Sequence, residues 1–354
     1  MSIRPARPWV VVTSYPAWSS PYFAAMARHA PTELALEFTP DLDRLPQSGA
    51  GVVNLHRLKR LYRTSDGTPT VQGTELMLQR LVELRRGGWR LVWTIHNLLP
   101  IDGAPPGEAD RRAARGVLDL ADAVVTHTRA DAAHIGRLSD TPVTVAGWGG
   151  AIAPPAPPPT PVAELAERMA SGPLSVLMLG NLAPYKDACG VVDAFLGDSP
   201  SARLFIVGPC PQGDLAQELL ARAHDSDGRV HLHLERVAPE HLGALYRATD
   251  AALCPYRIDG PWEFFSRVLY PSSVATAVEF ATPVIAPDLP AIREITEHHP
   301  CLLYPPTTGP GSALAAAEEH TWPQPAPERS QGWSTVMAAY LDVARTLPSV
   351  TPHR

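Results

Sequence analysis

Residues able to handle a charged ligand lie together in Leu179-Gly180-Asn181-Leu182-Ala183-Pro184-Tyr185-Lys186-Asp187. An apolar, strand-like run precedes this segment and a helix-like stretch follows it. A glycine at a strand exit lets backbone approach a ligand closely, and a lysine a few residues on can set its ammonium against a phosphate. The segment is not a Walker A loop, because Gly-Lys-Ser/Thr is absent. Composition adds weight to Lys186. Of the 30 basic residues only Lys59 and Lys186 are lysine, so arginine fills nearly every position that accepts a cation. A lysine kept in such a chain suits a tight site, where a planar guanidinium cannot replace a compact ammonium.

Two further segments carry chemistry. Pro271-Ser272-Ser273 precedes Val-Ala-Thr-Ala-Val and reads as a helix start, where free N–H groups and hydroxyls make an anion site. Trp93-Thr94-Ile95-His96-Asn97-Leu98-Leu99-Pro100 places His96 at the carboxyl end of an apolar strand, where a histidine can face a ligand. No Asp-x-Asp pattern lies near these segments; Asp41-Leu-Asp43 sits in a Pro-bounded loop elsewhere, so no metal site is expected.

The elements that must position these residues follow from apolar patterning. Strands are expected at Trp9–Thr13, Leu34–Phe38, Val52–Leu55, Leu91–Ile95, Ala123–Thr126 and Val143–Ala146. A second set is expected at Ser175–Leu179, Leu204–Val207, Val230–Leu234, Ala251–Cys254, Pro283–Ala286 and Cys301–Leu303. Helical spacing separates them at Pro21–Ala30, Gln72–Arg86, Glu108–Leu120, Ala130–Leu138, Ala188–Phe195, Leu215–His224, Pro239–Arg247, Ser273–Phe280 and Ala291–Glu297. Strand–helix alternation of this kind implies parallel sheets covered on both faces. Ala151–Pro161 holds six prolines and reads as an extended spacer. The expected organisation is an N-terminal Rossmann-like domain over 1–152, a Pro-rich linker over 153–161, a second Rossmann-like domain over 162–325 and a terminal segment over 326–354. The fold class is therefore α/β, two Rossmann-like domains with a cleft between them, the ligand facing the strands' carboxyl ends.

The 354 residues, 45% hydrophobic and 19% charged, suit two folded domains rather than a disordered chain. A net charge of −6 argues against a general nucleic-acid binder. The four cysteines are dispersed, with no C-x-x-C pair, so neither a zinc site nor a disulfide framework is expected. Apolar runs are too short for a spanning helix or a signal peptide. The expectation is a cytoplasmic protein.

These segments, in this order, resemble GT-B-fold glycosyltransferases of the family 4 type, the retaining, nucleotide-sugar-dependent class. Thr94–Pro100 is similar to the Thr-Ile/Val-His-Asn-Leu-Leu-Pro-His motif of one bacterial branch, with Ile101 in place of the final His. Gly180 and Lys186 match the family's diphosphate loop. Ser272, Ser273 and Pro283–Asp288 match its Ser-rich helix start and Pro-Val-Ile-Ala-Pro strand. Gly332–Val336 leading to Tyr340 resembles its last helix, which crosses back to the first domain. The chain departs from the family pattern where two glutamates are usual, at Val268 and Thr276, and where the branch often has Arg, at Ala183. Arg257 and Arg267 are the candidates for replacing phosphate contacts.

The resemblance implies a hexosyltransferase moving a sugar from a UDP- or GDP-sugar, as co-substrate, to an acceptor with retention, without cofactor or metal. Gly180, Asn181, Lys186, Gly208, Val237, Ser272 and Ser273 are then donor-binding, with the base near Gly208 and Val237. His96 and Lys186 are the catalytic candidates. Trp18, Ser19, Tyr22 and Asn97 are the acceptor-side candidates. The expected acceptor is a small polar metabolite of the aminocyclitol or antibiotic-intermediate kind; nucleic acid is excluded and membrane contact is not favoured. The alternatives are a lipid-linked or surface-polysaccharide glycosyltransferase, for which the basic stretch Asn54–Arg63 would meet anionic headgroups, and a nucleotide-sugar epimerase or non-catalytic nucleotide-sugar-binding relative.

Overall fold

A computed structural model of the chain describes residues 8–13, 20–64, 66–101, 105–150, 153–322 and 332–347. Trp18 and Ser19 lie outside the described residues. The chain divides into two compact units, one of Met1–Gly149, Arg267–Tyr270 and Gln331–Arg354, the other of Gly150–Ser266 and Pro271–Ser330.

Runs such as Trp9-Val10-Val11-Val12 and Val52-Val53-Asn54-Leu55 are buried throughout. They lack polar alternation, as strands covered on both faces must. In chain order the first unit contains β1 (Pro8–Val12), α1 (Pro21–His29), β2 (Ala35–Thr39), β3 (Val52–Leu55), α2 (Lys59–Tyr62), α3 (Val71–Arg86), β4 (Arg90–Thr94), α4 (Glu108–Leu120), β5 (Ala123–Thr126), α5 (Arg129–Leu138) and β6 (Val143–Val145). Its strands form one parallel sheet in the order β2-β1-β3-β4-β5-β6. Thr70 and Thr128 cap α3 and α5, their hydroxyls accepting from the N–H groups of Gly73 and Asp131 at 3.0 Å each.

The second unit contains α6 (Thr160–Ala170), β7 (Ser175–Leu179), α7 (Ala188–Asp198), β8 (Arg203–Val207), α8 (Gly213–His224), β9 (Val230–His233), α9 (Leu242–Ala248), β10 (Ala251–Leu253), α10 (Ser272–Glu279), β11 (Val284–Pro287), α11 (Pro290–Ile295), β12 (Cys301–Tyr304) and α12 (Gly311–Glu319). Its parallel sheet runs β12-β11-β10-β7-β8-β9. Each unit is thus a Rossmann-like parallel sheet with interleaved helices. The last described helix, α13 (Gly332–Thr346), packs in the first unit against α1 and β6.

Each unit has its own core. Val53, Leu55, Leu81, Leu91, Trp93 and Val117 are among the buried residues of the first; Val176, Met178, Val192, Phe195, Leu204 and Ile206 of the second. The extended Pro-rich stretch ends at Pro159, because α6 starts at Thr160 with Pro161 in its first turn. There the missing proline N–H has no intrahelical partner to lose. The first residues of α6 therefore take the last part of the expected 153–161 spacer. No helix among the described residues is long and apolar enough to cross a membrane.

Candidate functional site

In the second unit the chain winds from β7 outward through β8 and β9, then returns to place β10 on the other side of β7. This reversal between β7 and β10 is the switch point at which open parallel sheets leave a ligand crevice at their carboxyl ends. The loop after β7 carries the sequence-predicted residues. Gly180 has φ +116° and Gly208, at the tip of neighbouring β8, has φ +136°, both conformations that favour glycine. Their backbones are nearly in contact: a Cβ on Gly208 would lie 2.3 Å from the Gly180 carbonyl oxygen. The Gly180 N–H donates to the Val207 carbonyl at 2.9 Å, and the Gly208 N–H to that of His233 at 2.9 Å.

Lys186 ends a short 3-10 turn, Pro184–Lys186, and is only 5% exposed. Its Nζ donates to the Leu179 carbonyl at 3.1 Å and would lie 2.9 Å from a Cβ on Gly180. Burial pulls the ammonium down to about 8, partly offset by Cys254. Cys254 follows β10; burial pushes its thiol up to about 11, and it hydrogen-bonds Ser273. Ser273 Oγ is also 2.8 Å from Tyr256 OH. Tyr256 stacks on Tyr185 with centroids 5.8 Å apart, and Phe265 packs edge-on against both rings. Lys186 and Ser273 thus converge on Cys254, held by an aromatic cluster. The start of α10 is left without a side-chain cap, since its N-cap is Pro271. Ser272 is exposed.

The remaining donor-side candidates are placed unevenly. Asn181 is exposed at the loop tip and Val237 is half-buried before the turn Pro239–His241. Arg257 lies beside the lysine loop, its N–H donating to the Tyr185 carbonyl at 2.9 Å, while its guanidinium pairs with Asp259. Arg267 belongs to the first unit, within electrostatic reach of His134.

The first unit reverses its winding between β1 and β3. His56 follows β3, His96 lies just past β4 and His127 follows β5, so three adjacent strand tips each carry an imidazole. His96 Nε2 is 3.0 Å from His56 Nδ1, and His96 Nδ1 is 3.0 Å from His127 Nε2. The outer ends are anchored: His127 Nδ1 to the Gly147 carbonyl at 2.8 Å and His56 Nε2 to Asn54 Oδ1 at 2.9 Å. His56 and His127 are buried, whereas His96 keeps accessible surface. Burial lowers all three, His127 to about 4; like charge between the rings and Arg57 lowers His56 and His96 further.

Both nitrogens of His96 are thus engaged, so a sugar hydroxyl would have to replace one of these contacts. Tyr22 is equally committed: its OH is 3.2 Å from Tyr340 OH, and its ring packs edge-on against His96 at 4.8 Å and Trp333 at 5.0 Å. Asn97 forms an antiparallel bridge with Leu269, and its Oδ1 is buried with no hydrogen-bond partner among the described residues. Of the two described acceptor-side candidates, Tyr22 and Asn97, Asn97 is the one with bonding capacity left.

His127 and Tyr270 were not singled out from sequence, and Asn54 and Tyr340 were read there only as the start of a basic stretch and as part of the last helix. Tyr270 packs on His127 with centroids 4.1 Å apart, and its N–H donates to the His96 carbonyl at 2.7 Å. The available signal was a polar residue recurring just past three predicted strands. Among the described residues no group of three or more His, Cys, Asp or Glu could hold a metal ion; the imidazole nitrogens face one another in pairs.

Residues 173–320 match the family model described as glycosyl transferases group 1. Among curated proteins none matches the chain in sequence. Similar solved structures include HepE of Anabaena in complex with UDP and glucose, 13% identical, covering 97% of this chain and 95% of that one with a TM-score of 0.57. AviGT4, described as a glycosyltransferase involved in avilamycin A biosynthesis, is 17% identical and covers 97% of this chain and 98% of its own, with a TM-score of 0.55. Sucrose-phosphate synthase from Thermosynechococcus elongatus is 18% identical, covering 84% of this chain and 69% of that one, with a TM-score of 0.54. At these identities the likeness is one of fold. The match to glycosyl transferases group 1 thus lies in the second unit, and the fold is the one seen in GT-B glycosyltransferases.

Proposed function

We propose that the protein is a retaining glycosyltransferase of the family 4 type. It moves a sugar from a UDP- or GDP-sugar to a small polar acceptor, in cytoplasmic natural-product biosynthesis of the aminocyclitol or antibiotic kind. The observation that carries this reading is the buried Lys186 at the β7/β10 switch point, beside Gly180, Gly208 and Ser273. When the bond from sugar to diphosphate breaks, negative charge grows on the leaving phosphate oxygen. A preorganised ammonium and uncapped helix N–H groups offset that charge without rearrangement. The description of HepE with UDP and glucose supports a nucleotide-sugar donor, and that of AviGT4 supports a natural-product role.

The deciding experiment follows nucleoside diphosphate release from a donor panel, with and without candidate acceptors. Acceptor-dependent release supports transfer. Donor interconversion without release marks an epimerase, and binding without turnover marks a non-catalytic relative. Lys186→Ala should weaken UDP or GDP binding by about 1.5–3 kcal/mol, one charge-assisted contact. Lys186→Arg should not restore it, because the head groups differ in shape. Calorimetry showing wild-type affinity in the Ala variant removes Lys186 from the site. In this mechanism the protein supplies the positive charge itself, so turnover should persist in EDTA; loss on chelation with recovery on adding magnesium or manganese overturns that part.

A further inference from the structure

Fixed groups at both ends of the histidine array determine how many protons it needs. The Gly147 carbonyl oxygen can only accept, so His127 Nδ1 carries hydrogen in the 2.8 Å contact. At the other end the orientation of Asn54 is set by its neighbours. Trp9 Nε1 can only donate, and it does so to Asn54 Oδ1 at 3.2 Å. The Val92 carbonyl can only accept, and it takes a hydrogen from Asn54 Nδ2 at 3.2 Å. Asn54 Oδ1 is therefore the atom facing His56 Nε2, which must carry hydrogen in the 2.9 Å contact.

Two nitrogen–nitrogen contacts of 3.0 Å remain between these ends. Neutral His127 and neutral His56, each with its hydrogen committed outward, turn lone pairs toward His96. Both nitrogens of His96 must then donate, which describes an imidazolium. Four contacts need four hydrogens, and three neutral imidazoles bring one each. In the neutral array one contact sets two lone pairs face to face.

We infer that His56, His96 and His127 form a binding site for a single proton, held in common by the three rings and centred on His96. Uptake adds one proton from solvent to the unprotonated contact, breaks no bond and raises the charge of the unit by one. Further uptake is blocked, since every ring nitrogen is then bonded to hydrogen or accepting one. His96, the ring with accessible surface, is where the proton enters. The surroundings oppose each other. Burial and the Arg57 charge disfavour the cation, while relief of the facing lone pairs favours it. Tyr22 from α1 and Tyr270 pack neutral phenols on the rings, and Tyr340 from α13 reaches them through Tyr22 and Thr94. This site does not depend on the sugar-transfer reading.

Nitrogen-15 imidazole NMR of the full chain, titrated over the pH range in which it stays folded, tests the inference. The expected result is one transition shared by all three rings, with a common midpoint and a total uptake of one proton. At the high-pH end His127 should hold hydrogen on Nδ1 and His56 on Nε2. Rings that stay neutral throughout, titrate at separate midpoints or together bind more than one proton overturn the inference. His127→Leu gives a second arm. It removes one ring and its contacts, so the hydrogens of the remaining rings suffice and His56 should no longer shift with His96. A shared transition that persists in this variant also overturns the site; where the variant fails to fold, the wild-type titration decides.

Discussion

Lys186 is a buried cation whose ammonium donates to the Leu179 carbonyl, and in the proposed function its charge serves the departing diphosphate. Burial has lowered its ammonium from the usual 10.5 to about 8. The sign for stability follows: the cost of burying charge is present below about pH 8 and fades as pH rises toward the unfolded value. The sign for binding is opposite. A diphosphate needs the charged form, so UDP affinity should be steady near neutral pH and fall above about pH 8, by up to tenfold per pH unit. In Lys186→Arg the affinity should be lower but flat over that range, a guanidinium being charged throughout. Calorimetry across pH checks both, and a flat profile in the wild type contradicts the assignment. Lys186 and Gly180 could be read from sequence because one short loop holds them. His127 and Asn54 could not, because strand order rather than chain proximity brings them to His96.

At the scale of elements, the alternation of apolar runs and helical spacing was legible almost residue by residue. Val52–Leu55, Ala123–Thr126, Ser175–Leu179 and Glu108–Leu120 have the same bounds in sequence and structure. What escaped was helix built from unfavourable or short material: α2 among basic residues, α6 behind a run of prolines and α12 with its alanine-rich face. Gly180 and Gly208 were legible as strand exits but their close pairing was not, since paired positive-φ glycines are set by how closely two strands approach. That approach can be tested. Gly208→Ala puts a methyl group against the Gly180 carbonyl oxygen at 2.3 Å in a conformation that costs about 1–3 kcal/mol for other residues. It should lower Tm and distort the lysine loop. Gly180→Ala carries similar backbone strain at φ +116° but meets only the end of the Lys186 side chain, so it should lower Tm less than Gly208→Ala while still weakening UDP binding. Equal effects of the two on Tm contradict this distinction.

At the scale of the whole molecule, two cores coexist in one chain, and the C-terminal helix belongs to the first of them. Tyr340 is fully buried; its OH lies 3.1 Å from Thr94 Oγ1, and its ring meets Trp9 edge-on at 5.7 Å. Tyr340→Ala should cost about 3–5 kcal/mol, the usual penalty for removing a large core aromatic. Hydrogen exchange should show protection lost in β1, β3 and β4 and kept in β7, β8 and β11. Uniform loss across both sheets contradicts independent cores.

The membership of Arg267–Tyr270 and α13 in the first unit has a consequence for synthesis. Chains fold domain by domain, N-terminal first, as they leave the ribosome, but here the earlier-made sheet must wait. Its histidine tips lack the backbone cover of Tyr270 until residue 270 has emerged, and Trp9 lacks Tyr340 until a further seventy residues have followed. The later-made unit can close first. A nascent chain arrested near residue 330 would therefore hold the second unit closed while the surface of the first that α13 covers stays open, and it is at that stage that the protein should most need a chaperone.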